Sequence, residues 1–205
     1  MTLKLMAAMA VSLATFAFQS RADVIKVGVI APMSGPFSAV GQTWEGATKA
    51  YQKLNGTTAG GHTIEVIYRD LPEINPAQAK ALAQELIIKE GAQYIAGLYF
   101  TPDTLAVAAL AQEAKVPVVI FNASTSSLLE KSDYLLRTSY TLPQMAVPVA
   151  KYALEKNVKN VVSLVSDFGP GLDAEKAFNT AFVAGGGKVL EAIRAPLKTT
   201  DFGPL

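Results

Sequence analysis

The sequence predicts an α/β fold: a doubly wound parallel sheet followed by the beginning of a second, smaller α/β lobe. Three features support that expectation. Strand-type and helix-type segments alternate along the chain after Ala22, the first strand segment is apolar on both faces, and Gly, Pro and Asn punctuate the segment ends. A strand apolar on both faces belongs inside a sheet covered on both sides, where parallel strands are found. Right-handed crossovers between such strands place helices on both faces.

The β-branched run Val24–Ile30 is the first strand, and Pro32–Pro36 turns out of it. Trp44, Ala47, Tyr51 and Leu54 recur at helical spacing, which predicts a helix over Gln42–Leu54 ended by Asn55-Gly56. Gly60-Gly61 turns into a strand over Thr63–Arg69. Asn75 caps and Pro76 opens a helix that runs to Lys89, with Ala79, Leu82, Ala83, Leu86 and Ile87 on one stripe. The strand Tyr94–Leu98, a turn Tyr99–Asp103 and the helix Thr104–Ala114 follow, then strands Val116–Phe121 and Tyr134–Thr138 around a Ser/Thr-rich loop. A second αβαβ unit comprises helix Pro143–Glu155, strand Val161–Val165, helix Leu172–Ala184 and strand Lys188–Ile193. Thr200-Asp201 is expected to start another helix, which places the last residue inside an unfinished second lobe. The expected division is a leader over 1–22, a first lobe over 23–140 and a partial second lobe over 141–205.

Met1–Lys4 is a short positive start, Leu5–Phe18 an uncharged apolar stretch, and Ser20-Arg21-Ala22 puts small residues where a signal peptidase cuts. This predicts a secretory signal peptide cleaved after Ala22 and a location outside the cytoplasm; the apolar stretch is short for a membrane span. Removing Lys4 and Arg21 leaves the remainder slightly acidic, which gives no support to nucleic-acid binding. The absence of cysteine excludes thiolate metal sites, catalytic cysteine and disulfides.

No catalytic group assembles from the sequence, so no enzyme, cofactor or metal is expected. His62 is the sole histidine and lacks an oriented partner, there is no GxSxG elbow, and Gly185-Gly186-Gly187-Lys188 precedes a strand rather than a helix. Asp167 and Asp173 lack a third ligand at metal spacing, and Asp70 and Glu73 flank a turn as solvated carboxylates. The turn Tyr99–Asp103 joins a strand end to a helix N-terminus, a place where free N–H groups suit a carboxylate. The loop Asn122–Ser127 either caps a short turn over Leu128–Lys131 or presents hydroxyls to the same crevice as Thr101. Tyr99, Phe100, Tyr140 and Phe168 are either core or a ligand platform; taken singly they favour core, and their shared position at or beyond strand ends makes the platform a serious alternative.

The ordered segments IKVGVIAPMSGPFSAVGQTWEGATKA, YIAGLYFTPDTLAVA, PVVIFNASTSS, LRTSYTLPQ and SDFGPG resemble the periplasmic substrate-binding proteins of branched-chain amino acid ABC transporters. The likeness covers the chain after Ala22 and matches roughly the N-terminal half of a typical member. It implies two doubly wound lobes closing on a small-molecule carboxylate, and delivery of that ligand to a membrane permease. It also implies that Thr101 binds the carboxylate, that Ala123, Ser124 and Thr125 form a second carboxylate loop, and that Phe168 is the aromatic residue of the opposite lobe. Two departures bear on specificity. The segment Tyr140-Thr141-Leu142 lacks the aspartate that holds a ligand ammonium in amino-acid binders, although Asp103 is a substitute within reach, and Val40 stands where those binders often carry an aromatic residue. An unpaired ammonium in a closed cleft is expensive, so an aromatic or aliphatic acid without an amine is the expected ligand. A ligand-sensing module of a receptor or regulator on the same fold is the alternative.

Overall fold

The computed structural model describes residues 23–203; the leader and its cleavage site lie outside the described residues. In chain order the elements are β1 (Val24–Ala31), α1 (Ser38–Asn55), β2 (Thr58–Ala59), β3 (His62–Asp70), α2 (Pro76–Ile88), β4 (Tyr94–Gly97), α3 (Thr101–Ala114), β5 (Val118–Ile120), a 3₁₀ turn (Ser126–Lys131), β6 (Leu135–Arg137), α4 (Leu142–Glu155), β7 (Asn160–Ser166), α5 (Gly169–Ala184) and β8 (Lys188–Ala195).

The first sheet has the order β2-β3-β1-β4-β5-β6, and a separate two-stranded sheet pairs β7 with β8. All pairs are parallel except the short β2–β3 hairpin at the edge. Its turn is Gly60-Gly61, both at positive φ; this strand is missing from the sequence reading because two residues are too few to show a period. The double winding is visible in the alternation of side chains. From β1, Ile30 points into the core with Ile95, Val118 and Ile120, which α2 covers with Ala79, Ala83 and Leu86 and α3 with Val107 and Ala111. Val29 and Ala31 point to the other face with Ala96, against Trp44 of α1. Each large aliphatic chain buried in this way contributes roughly 1.5–3 kcal/mol.

Several helices start earlier than their sequence predicts. Instead of Gln42, Thr104 and Leu172, the first residues are Ser38, Thr101 and Gly169. In α3 and α5 a proline lies at the first or second position, where its fixed φ suits the helix and its missing N–H is not needed. The apolar stripe expected on α1 is only partly buried: Tyr51 is 67% and Leu54 84% exposed. No helix forms at Thr200-Asp201 within the described residues.

The small sheet carries α5 as its crossover, with α4 packed against α5. Phe182 is fully buried there, stacked on Phe178 at 5.5 Å. Arg194 of β8 grips Glu175 through two hydrogen bonds of 3.0 and 2.9 Å, which holds the Glu175 carboxyl below its ordinary range.

Candidate functional site, a cleft between two sheets

The strand order turns back on itself at β1, with β3 on one side and β4 on the other. Crevices form beyond the C-terminal strand ends at such a point. The loop after β1 is held by Asp70 at the end of β3, whose carboxylate accepts from Met33 N at 2.8 Å, Ser34 N at 3.1 Å and the Ser34 hydroxyl. Asp70 is therefore a staple and not the solvated carboxylate its turn position suggested. Replacing it by alanine should lower stability by roughly 1–3 kcal/mol through the lost charge-assisted bonds, read as a fall in the thermal unfolding midpoint.

At the end of β4 the backbone bends sharply. Gly97 has φ 95° and Leu98, fully buried, has φ 60°, so two successive residues sit in the left-handed region. Leu98 N donates to Ile30 O at 2.8 Å and fixes the bend. Tyr99, Phe100 and Thr101 emerge from it at the mouth of α3. The Phe37 ring packs on Tyr99 at 5.5 Å and edge-on to Phe100 at 5.1 Å, and Tyr99 meets Phe100 edge-on at 4.7 Å.

Beyond β5, Asn122 Nδ2 donates to Tyr99 O at 3.1 Å. Thr101 and Thr125 share a hydroxyl–hydroxyl hydrogen bond of 3.0 Å. A β-carbon at Gly169 would lie 3.5 Å from Thr125 Oγ1 and 3.8 Å from Thr101 Cγ2, so the first turn of α5 reaches both threonines from the other sheet. Neither Phe100 before α3 nor Phe168 before α5 offers a side-chain cap. Two helix N-termini with uncapped N–H groups thus converge on one place, and their dipoles favour negative charge there.

The cleft between the sheets has a volume of about 600 Å³. Tyr99, Phe100, Thr101, Ser124 and Phe168, singled out in the sequence, all line it, as do Asn122 of the same Ser/Thr loop and Glu73, which was expected only as a solvated carboxylate; Phe37, Ser166 and Lys198 join them without having been singled out. The remaining expected residues stand elsewhere. Ala123 is buried in the first core, Thr125 lies behind Thr101, and Tyr140 is 44% exposed and away from the lining. Val40 is not part of the lining either, and Phe37, three residues earlier, supplies the aromatic ring.

Asp103, considered as an ammonium partner, is fully buried and absent from the cleft lining, accepting from Asn75 N at 2.9 Å. Burial pushes its carboxyl up to about 6, against the lowering effect of the Asn75 bond. A second hollow of about 470 Å³ lies between α1 and β3, lined by Trp44, Tyr51, Ile64, Val66 and Phe121. It lacks convergent helix N-termini. Among the described residues no three metal-ligating side chains come together.

A family model described as a periplasmic binding protein matches residues 24–205. The chain belongs to this family. Among its binding-protein relatives, Leu/Ile/Val-binding protein homolog 6 of Brucella abortus is 54% identical over 184 residues, 90% of this chain and 47% of that protein. The crystal structure of a solute-binding protein of an ABC transporter from R. palustris, in complex with 4-hydroxybenzoate, is 57% identical with a TM-score of 0.85, covering 89% of this chain and 50% of that one. Another, from Rhodopseudomonas palustris BisB5 in complex with 3,4-dihydroxybenzoic acid, is 43% identical with a TM-score of 0.84 over 89% of this chain and 50% of that one. The chain thus spans about half the length of the relatives it matches.

Proposed function

We propose that this chain is the solute-binding component of an ABC uptake system and takes a small carboxylate, an aromatic acid in the first instance, into the cleft between its two sheets. One observation carries the reading: the uncapped N-termini of α3 and α5 meet at the hydrogen-bonded pair Thr101 and Thr125, with Phe37, Tyr99, Phe100 and Phe168 around them. The carboxylate binds the helix ends, Thr101 and Ser124, and the rings take the apolar body of the ligand. The aromatic acids bound by the two R. palustris relatives support this chemistry. A periplasmic location after removal of residues 1–22, lobes divided near 140, and a membrane permease as the receiver of the ligand belong to the same proposal.

A second reading rests on Glu73, the carboxylate on the cleft lining, which would pair with the ammonium of an amino acid. Calorimetry with 4-hydroxybenzoate, benzoate and leucine separates the two. The aromatic acid reading expects binding of the benzoates, insensitive to Glu73→Gln, and a loss of roughly 10- to 100-fold on Thr101→Val, as for one hydrogen bond to a charged group. Binding of leucine alone, abolished by Glu73→Gln, would overturn it in favour of an amino acid.

A further inference from the structure

We propose that Asp173 is a closure latch, a carboxylate of the second sheet's layer that seizes the Ser/Thr loop of the first and sets Thr125 behind Thr101. The inference rests on the reading of the cleft as a carboxylate site. Asp173 lies in the second turn of α5, which packs on α4, β7 and β8. Its Oδ2 accepts from Ser126 N at 2.8 Å and its Oδ1 from the Ser126 hydroxyl at 2.7 Å. Ser126 opens the 3₁₀ turn, which packs on α3 and β6. Both carboxylate oxygens are therefore committed across the gap between the sheets, to a single residue, in a two-point grip that fixes direction as well as distance.

The neighbouring residues extend the grip toward the ligand site. Arg137 of β6 donates from Nη2 to Thr125 O at 2.6 Å. Burial lowers the Arg137 pKa, and the nearby Asp173 charge opposes that effect. Thr125 in turn shares its hydroxyl bond with Thr101. A continuous path thus runs from Asp173 through Ser126 and Thr125 to Thr101, with Arg137 pinning the Thr125 carbonyl from beneath. Asp173 is absent from the cleft lining; it is a positioning residue that acts through Ser126 and Thr125. When the second sheet approaches, the grip forms and the loop is set; when it withdraws, the loop loses two of its fixed points. Closure and carboxylate recognition become one equilibrium, and weakening the latch lowers affinity by reducing the population of the competent state.

The chain contains no cysteine, so spin labels at Lys80→Cys and Glu155→Cys, exposed positions on α2 and at the end of α4, report sheet separation by pulsed electron resonance without background. In the ligand-free chain a short-distance population is expected, depleted about fivefold by Asp173→Ala and partly restored by Asp173→Asn, which keeps one acceptor. Ser126→Ala, in an exposed turn, should deplete it less, and adding it to Asp173→Ala should cause little further loss, since both act on one contact. Affinity for 4-hydroxybenzoate should fall by the same factor, about fivefold, in Asp173→Ala, while Thr101→Val lowers affinity without moving the distances. Unchanged distances in both Asp173→Ala and Ser126→Ala overturn the latch. Absence of 4-hydroxybenzoate binding in the wild type, with the distances responding as expected, overturns the ligand and leaves the latch standing.

Discussion

Gly97→Ala is expected to destabilise the chain by at least about 3 kcal/mol, seen as a large fall in the urea midpoint. A β-carbon on Gly97 would stand 2.3 Å from Ile30 O and 3.2 Å from Val29 Cγ1, at φ 95°. Neither neighbour can give way, because both belong to β1, the strand that β4 pairs with in parallel. The left-handed backbone alone costs about 1–2 kcal/mol for a residue with a β-carbon, and displacing β4 adds the loss of its buried contacts. The damage is not confined to stability. Leu98 N bonds Ile30 O, and Ala123 N bonds Leu98 O, so a shift at Gly97 moves Tyr99–Thr101 and the Ser/Thr loop together. A variant that kept both wild-type stability and ligand affinity would refute this account of the bend.

Asp103→Asn should stabilise the chain at neutral pH and flatten part of its pH dependence. The sign follows from the raised pKa of about 6, which means that the folded chain holds this proton more tightly than the unfolded one. Stability from Asp103 is fully present below the unfolded value near 4 and is lost as pH rises through about 6. Ionisation in the fold therefore opposes stability at pH 7 by up to about 3 kcal/mol. Asparagine keeps an acceptor for Asn75 N and cannot ionise. The stability difference between variant and wild type should grow by roughly 1.4 kcal/mol from pH 5 to pH 7.5, measured by urea unfolding at each pH. The difference between the two proteins is the informative quantity, because Glu175, with its lowered pKa, acts in the opposite sense on both. A difference that shrank with rising pH would show that Asp103 is ionised and stabilising.

The sheet was largely legible in the sequence, and the reason lies in local chemistry. The β-branched run of β1 and the Asn75-Pro76 start of α2 are properties of neighbouring residues; Asn75 indeed accepts from Gln78 N at 3.0 Å. The carboxylates were not legible. Asp70, Asp103 and Asp173 looked like surface groups, a ligand partner and half of a weak metal pair, and each instead fixes a backbone N–H far along the chain, at Ser34, Asn75 and Ser126. Such a role depends on what the fold brings near, which spacing cannot show. Phe37 escaped notice for a related reason. Its ring reaches the cleft from the residue just before α1, a helix that begins four residues ahead of the point where its apolar period becomes clear. Thr101, Ser124 and Phe168 were recognisable because strand ends beyond a switch point are defined by topology, and the order of elements gives the topology.

The rings of Phe37, Tyr99 and Phe100 have a thermodynamic consequence. They come from two loops far apart in sequence, yet each touches the other two, so each restricts the rotation of its neighbours. Part of their rotamer freedom is therefore lost when the chain folds and not when a ligand arrives. On the proposed reading, a planar acid entering the cleft meets a floor largely in place, and part of the ordering that would otherwise weaken its binding, about 0.5–1.5 kcal/mol for each side chain immobilised, has been completed beforehand.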